Sequence, residues 1–269
     1  MTRVVLHIGT LKTGTTSFQR WFADNESAIT SLTGFRWFRS DFPDAREIAA
    51  ACIDEGRQTP AMALGFFPTR PGSEWDKWRQ GVLDNVRSQI AASQQPLYVS
   101  CEALCLLRTP AEIARLAELF DPATTKVVLT LRNPRGFLDS WKQHLEHDFF
   151  RRSNDPTSFA YVRDDSWLVD YAGLEAAYRD VFADMEVIDY DAVMARDGSI
   201  IPALAATFTD RLIDELPSWD TYRLNRSTRP PREPVKGLAR PRHYLRWYKW
   251  KAVDAARRRL RRTRQTRNG

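Results

Sequence analysis

A chain of 269 residues with 43% apolar content and twelve glycines can bury a full core, which excludes a disordered or collagen-like protein. No apolar run approaches the length that crosses a bilayer. The net charge of +6 is unevenly spread: residues 229–269 hold fifteen Lys/Arg and two acids, leaving 25 basic and 32 acidic groups before them.

Cys52, Cys101 and Cys105 make no paired framework, and Cys101-x-x-x-Cys105 lacks the second half of a zinc site. Buried, reduced thiols and a cytoplasmic chain are expected. The first strand opens almost at Met1, so no leader is expected ahead of the fold.

The chain begins with V-V-L-H-I-G-T-L-K-T-G-T-T-S-F-Q-R-W over Val4–Trp21. A β-branched apolar run leads into a turn of glycines and hydroxyl residues. Phe18, Trp21 and Phe22 then fall at helical spacing. Strand, tight loop and helix N-terminus in that order make an anion site, because loop amides and the helix dipole converge there. Gly9 and Gly14 keep the glycine interval of a Walker loop, but Thr15 stands where that loop has its lysine. The basic residue, Lys12, comes earlier. No G-x-G-x-x-G can be drawn.

Gly34–Phe38 reads as a short strand and Asp44–Glu55 as a helix, after which Pro60, Pro68, Pro71 and Gly72 break the pattern. Arg36, Arg39, Arg57 and Arg70 in this region read as solvated surface arginines, or as contacts for an anionic or sugar acceptor. Trp75, Trp78, Val82, Val86 and Ile90 predict one long amphipathic helix. Leu97–Ser100 reads as a buried strand, and Thr109-Pro110-Ala111-Glu112 as a capping box opening a helix. Lys126–Leu131 is another buried strand, ending at Arg132-Asn133-Pro134, and Pro134 opens a helix burying Phe137, Trp141 and Leu145. Residues 150–165 read as polar loop with room for a short helix. Trp167–Phe182 reads as a helix, Glu186–Tyr190 as a strand and Ile200–Leu212 as a helix.

Strands alternating with helices predict an α/β fold with a P-loop-like central parallel sheet flanked by helices on both faces. The predicted division is a domain over 1–230 and a basic, aromatic-rich tail over 231–269. In such a sheet, ligands bind outside the carboxyl ends of the strands. Four candidates sit at such ends: the Gly9–Thr15 loop, Glu102, Arg132 and Tyr190.

Lys12-Thr13-Gly14-Thr15-Thr16 resembles the 5′-phosphosulfate loop of the sulfotransferases, K-[TS]-G-[TS]-[TS]. L-R-N-P-R-G-F-L-D-S resembles their 3′-phosphate site, in which a strand-end arginine is followed eight residues later by a serine; Arg132 and Ser140 match. The resemblance spans about residues 3–230, with these two motifs its specific part, and is nearest to bacterial and carbohydrate sulfotransferases. It implies a donor, 3′-phosphoadenosine 5′-phosphosulfate, with adenosine 3′,5′-bisphosphate as product and no metal. Lys12, Thr13, Gly14, Thr15 and Thr16 would hold its 5′ end, and Arg132 and Ser140 its 3′-phosphate. Tyr190, in a tyrosine–acid pair, would lie near adenine or simply pack. Asn225 and Ser227 match a late N-x-S element that is equally a turn.

In-line displacement at sulfur needs charge stabilisation, assigned to Lys12, and a base for the acceptor hydroxyl or amine. Glu102 is the first choice of base, with an ion-paired carboxylate as the alternative. His144, on one helical stripe with Ser140 and His147, is the rival; His7 reads as core. A carbohydrate or glycolipid acceptor is expected, because the chain has no convincing R-K-G of the branch acting on phenols and steroids. Val235-Lys236-Gly237 is only an echo of it. The tail, with Tyr244, Trp247, Tyr248 and Trp250 among arginines, suits a peripheral anionic membrane surface, a frayed solvated end, or non-specific nucleic-acid contact. No specific nucleic acid is expected. Two other readings stand beside this one: a P-loop kinase or NTPase with a displaced lysine, and a non-catalytic basic adaptor.

Overall fold

The strand at Val4–Gly9 (β1) is buried at every position because it lies in the middle of a sheet covered on both sides. In this computed structural model, residues 2–68, 72–148, 150–210 and 215–222 are described. Asn225, Ser227, Arg70 and the basic tail therefore lie outside the described residues, as does the end of the helix expected over Ile200–Leu212.

After β1 the chain forms α1 (Thr15–Thr33), β2 (Arg36–Trp37), α2 (Arg46–Cys52), α3 (Pro60–Ala63) and α4 (Ser73–Ala92). There follow β3 (Leu97–Ser100), a 3-10 helix at Glu102–Leu106, α5 (Pro110–Ala117), β4 (Thr125–Leu131) and α6 (Pro134–His147). A 3-10 turn at Trp167–Val169 precedes α7 (Tyr171–Arg179), β5 (Met185–Asp189), α8 (Tyr190–Asp197) and α9 (Ile201–Ala206). The five strands are all parallel, in the order β2-β3-β1-β4-β5. Among the described residues no helix is long and apolar enough to cross a membrane.

Strand alternation divides the core in two. Val4, Leu6 and Ile8 of β1, with Val99 and Leu129, pack against α2, α4, α5, α6 and α7. Val5, Tyr98, Val128 and Ile188 face the other way, onto Phe18, Trp21 and Phe22 of α1 and onto α8 and α9. Each fully buried Leu or Phe contributes about 1.5–3 kcal/mol, so both layers hold the sheet. The β1–α1–β2 crossover covers one face, and the β3–α5–β4 crossover covers the other. The loops after β1, β3 and β4 meet at the carboxyl end of the sheet, where the Gly9 backbone lies against Glu102 and Thr10 bonds Thr130.

The capping box forms as expected. Its glutamate does more than cap: Glu112 is fully buried, pairs with Arg57 at 2.5 Å, and accepts from the backbone N–H groups of Asp54, Arg108 and Thr109. Arg57 is thus neither a solvated arginine nor a free acceptor contact. The helix expected over Trp167–Phe182 is divided, because the Asp170 side chain accepts from Gly173 N–H at 3.0 Å and starts α7 one turn late. The helix expected over Asp44–Glu55 shortens to α2, which the chain enters through Ala45 at φ +46°. The short helix for which residues 150–165 have room does not form.

Candidate active site

The loop after β1 turns on three left-handed residues, Gly9 at φ +90°, Lys12 at +65° and Gly14 at +75°. Glycine at position 9 has a second cause. A Cβ there would stand 2.9 Å from the Glu102 carbonyl oxygen, so the loop lies directly on the start of the 3-10 helix. Lys12 carries a side chain in a conformation that disfavours one, at a cost of about 1–2 kcal/mol. Such strain is commonly found at ligand-holding loops. The loop is pinned to β4, with Thr10 N–H donating to Thr130 O at 2.5 Å and the Thr10 hydroxyl to the same oxygen at 3.1 Å.

The five motif residues do not present themselves alike. The Thr13 hydroxyl is spent inward on Thr10 O at 2.6 Å. The Thr15 hydroxyl donates to Glu102 Oε2. Thr16 is exposed. Gly14 precedes α1 with no side chain capping that helix, so its first amides and its dipole face the loop. Lys12 is half-buried, and among the described residues no ion pair uses it.

Arg132 reaches the same loop from the end of β4. Its Nη1 donates to Lys12 O at 3.2 Å, and its guanidinium lies over the Tyr190 ring at 5.5 Å. Its Nε is buried without a hydrogen-bond partner among the described residues. Asn133 caps α6 by accepting from Arg135 N–H at 3.1 Å, and its own N–H donates to Asp191 Oδ2 at 2.6 Å. Tyr190 also borders the loop, with its Cε2 at 3.6 Å from where a Gly14 Cβ would stand. Lys12, Gly14, Arg132 and Tyr190 therefore form one neighbourhood. Ser140 is half-buried on α6, nearly two turns beyond Pro134.

The two candidate bases differ in basicity. Burial raises the Glu102 pKa above the ordinary 4.5, and the charge of Asp44 adds to this. The Thr15 hydrogen bond, Lys12 and Arg46 pull the other way. Burial lowers His144 to about 4, against the pull of Asp148 at 3.5 Å; Lys12, His147 and Arg46 lower it further. Its ring packs on Trp141 at 4.8 Å. Lys12 lies within electrostatic reach of both groups. Burial thus weakens His144 as a base and strengthens Glu102.

The remaining candidates are structural. His7 bridges Ser100 Oγ at 3.1 Å and Thr130 Oγ1 at 3.2 Å, and burial pushes its pKa down to about 3. This neutral strut ties β3, β1 and β4 together below the loop. The three cysteines are free and buried, and burial pushes the Cys52 and Cys105 thiols up to about 12 and about 11. Neither is a thiolate at neutral pH. Among the described residues no group of three His, Cys, Asp or Glu side chains is placed to hold a metal ion.

Sequence reasoning passed over Asp44 and Arg46, which pair at 2.7 and 2.6 Å beside Glu102. It also left Asp191 without a role. Asp44 and Arg46 carry no motif, and only the fold brings them beside Glu102; Asp191 is the acid of the tyrosine–acid pair, and its carboxylate accepts from Asn133 N–H.

No protein-family model matches the chain, and no curated protein matches it. Among solved structures, a sulfotransferase from Alicyclobacillus acidocaldarius is similar at 16% identity and TM-score 0.47, over 80% of this chain and 88% of that one. A sulfotransferase domain from the curacin biosynthetic pathway is similar at 9% identity and TM-score 0.42, over 80% and 76%. Likenesses this distant carry no weight of their own.

Proposed function

We propose that this protein is a sulfotransferase, moving a sulfuryl group from 3′-phosphoadenosine 5′-phosphosulfate to a hydroxyl or amine of a carbohydrate or glycolipid. One observation carries the reading: Arg132 bonds the backbone of Lys12, and neither side chain is taken up by an ion pair among the described residues. Two adjacent cations at the carboxyl ends of β1 and β4 suit a ligand with an anionic group at each end. The buried, unpartnered Nε of Arg132 supports the same fit, since such a donor needs an acceptor.

In the proposed reaction the acceptor oxygen or nitrogen bonds to sulfur while the bond from sulfur to the bridging phosphate oxygen breaks. Lys12, with the loop amides and the α1 dipole, stabilises the charge that gathers on that oxygen. Glu102 takes the acceptor proton, with His144 as the rival. Thr13 contributes its amide, because its hydroxyl is already used. The basic tail is proposed to rest on an anionic membrane surface, which would bring a glycolipid acceptor within reach. Donor carrying labelled sulfate, offered with a panel of oligosaccharides and glycolipids, tests the reading. Labelled acceptor supports it, and label left in the donor with every acceptor contradicts it.

A further inference from the structure

On the side of the sheet that faces α1, the apolar Val5, Tyr98 and Val128 give way to polar residues nearer the loop. Two positions further along the same strands stand His7, Ser100 and Thr130, all buried. The imidazole joins them, with Nδ1 at 3.1 Å from Ser100 Oγ and Nε2 at 3.2 Å from Thr130 Oγ1. Burial holds the ring neutral, so in either tautomer one nitrogen donates and the other accepts. From α1, Gln19 Nε2 donates to the same Ser100 Oγ at 3.2 Å. Thr15, one turn earlier on that helix, donates to Glu102 Oε2. Four residues apart, the two lie on one stripe of α1 that holds both Ser100 and Glu102.

The backbone extends the set. Cys101 N–H donates to His7 O at 2.9 Å, so His7 bonds both residues that precede Glu102. Thr130, at the other edge of the imidazole, supplies the carbonyl that receives the Thr10 N–H and hydroxyl of the loop. One connected, buried frame thus runs from the loop through β4, β1 and β3 to α1 and Glu102. Burying these polar groups costs free energy that apolar side chains would not. What a satisfied polar network supplies in return is one fixed geometry, where apolar packing tolerates several.

We infer that His7 is a positioning residue, setting the Glu102 carboxylate against the Lys12 loop through Ser100, Gln19 and Thr15 on one side and Thr130 on the other. The inference rests on the proposed role of Glu102 and deepens it, giving a task to buried side chains outside both motifs.

The test reads the Glu102 carboxyl itself, by carbon-13 NMR titration of the ligand-free full chain labelled at glutamate, with Glu102→Gln identifying the resonance. Thr15→Val removes a bond that favours the carboxylate, so it raises the pH at which Glu102 titrates. His7→Phe keeps a ring and removes both nitrogens. Gln19→Met keeps an unbranched side chain and stays interpretable if His7→Phe fails to fold. Each should shift the Glu102 titration upward, as Thr15→Val does, and add little in the Thr15→Val background. Asp44, Lys12 and Arg46, which also act on Glu102, are untouched by these substitutions. A histidine that only stabilised the sheet would lower the melting temperature of the variant and leave this titration where it was. An unmoved titration in folded His7→Phe, or in Gln19→Met where that variant alone folds, overturns the inference; so does a shift that adds in full to that of Thr15→Val. Wild type that fails to bind adenosine 3′,5′-bisphosphate overturns the proposed function instead, and with it the base that this frame serves.

Discussion

The guanidinium of Arg132 donates to the backbone carbonyl of Lys12 at 3.2 Å, across 120 residues of chain. Parallel pairing of β1 with β4 makes this possible: Leu6 lies beside Val127 and His7 beside Val128, so both strands deliver their loops to one end of the sheet. The bond uses a carbonyl that the left-handed turn at Lys12 leaves available, and it orients the loop and the arginine together.

Removing the lysine tests its chemistry apart from the fold. Lys12→Ala should lower turnover by about 100- to 1,000-fold, the usual loss for one electrostatic stabiliser. Because Lys12 is half-buried and makes no ion pair among the described residues, the melting temperature should hardly move. Full turnover in a folded Lys12→Ala protein would end its proposed role.

The base assignment makes a paired prediction. Glu102→Gln should reduce turnover by about 100- to 10,000-fold at saturating donor, whereas His144→Ala should cost less than tenfold. Glu102 acts only when ionised, so turnover should rise with pH through a pKa above 4.5. Thr15→Val removes a hydrogen bond that favours the carboxylate, so it should move that acid limb to still higher pH. The reverse ranking of the two variants would transfer the role to His144.

Stability carries the same sign. A carboxyl whose folded pKa is raised contributes stability below its unfolded pKa, and that contribution is lost as pH rises through the folded value. Glu102→Gln should therefore melt no lower than wild type at pH 7, and comparing thermal unfolding at pH 7 and pH 4.5 checks this. His144 has the opposite sign: with its pKa lowered to about 4, its contribution is present above 6.5 and lost as pH falls toward 4.

Gly9→Ala should destabilise the protein by about 1–3 kcal/mol in urea unfolding. Its Cβ would meet Glu102 backbone atoms at 2.9 and 3.0 Å, and φ of +90° resists any side chain. A neutral result would mean that loop and 3-10 helix are less closely apposed than described.

Glu112→Ala should cost more, about 3–5 kcal/mol, because it strands Arg57 and three backbone N–H groups. Guanidinium unfolding measures it directly.

What could be read beforehand was whatever a local pattern encodes. The apolar runs of β1, β3 and β4 announced buried strands, and Thr109 to Glu112 announced a helix start. Lys12 and Arg132 were visible because each follows a strand within a spaced motif. Arg57 was misjudged because its partner Glu112 lies 55 residues away, and no spacing reveals such an ion pair. Asp170 divided a helix whose apolar periodicity ran on, since one side-chain acceptor outweighed the pattern.

Calorimetry of adenosine 3′,5′-bisphosphate, with and without magnesium, on wild type and Arg132→Ala tests the central claim most directly. The account predicts binding by wild type at the same affinity in either buffer, and its loss in the variant. Absent binding, or affinity only for ATP with magnesium, would contradict it.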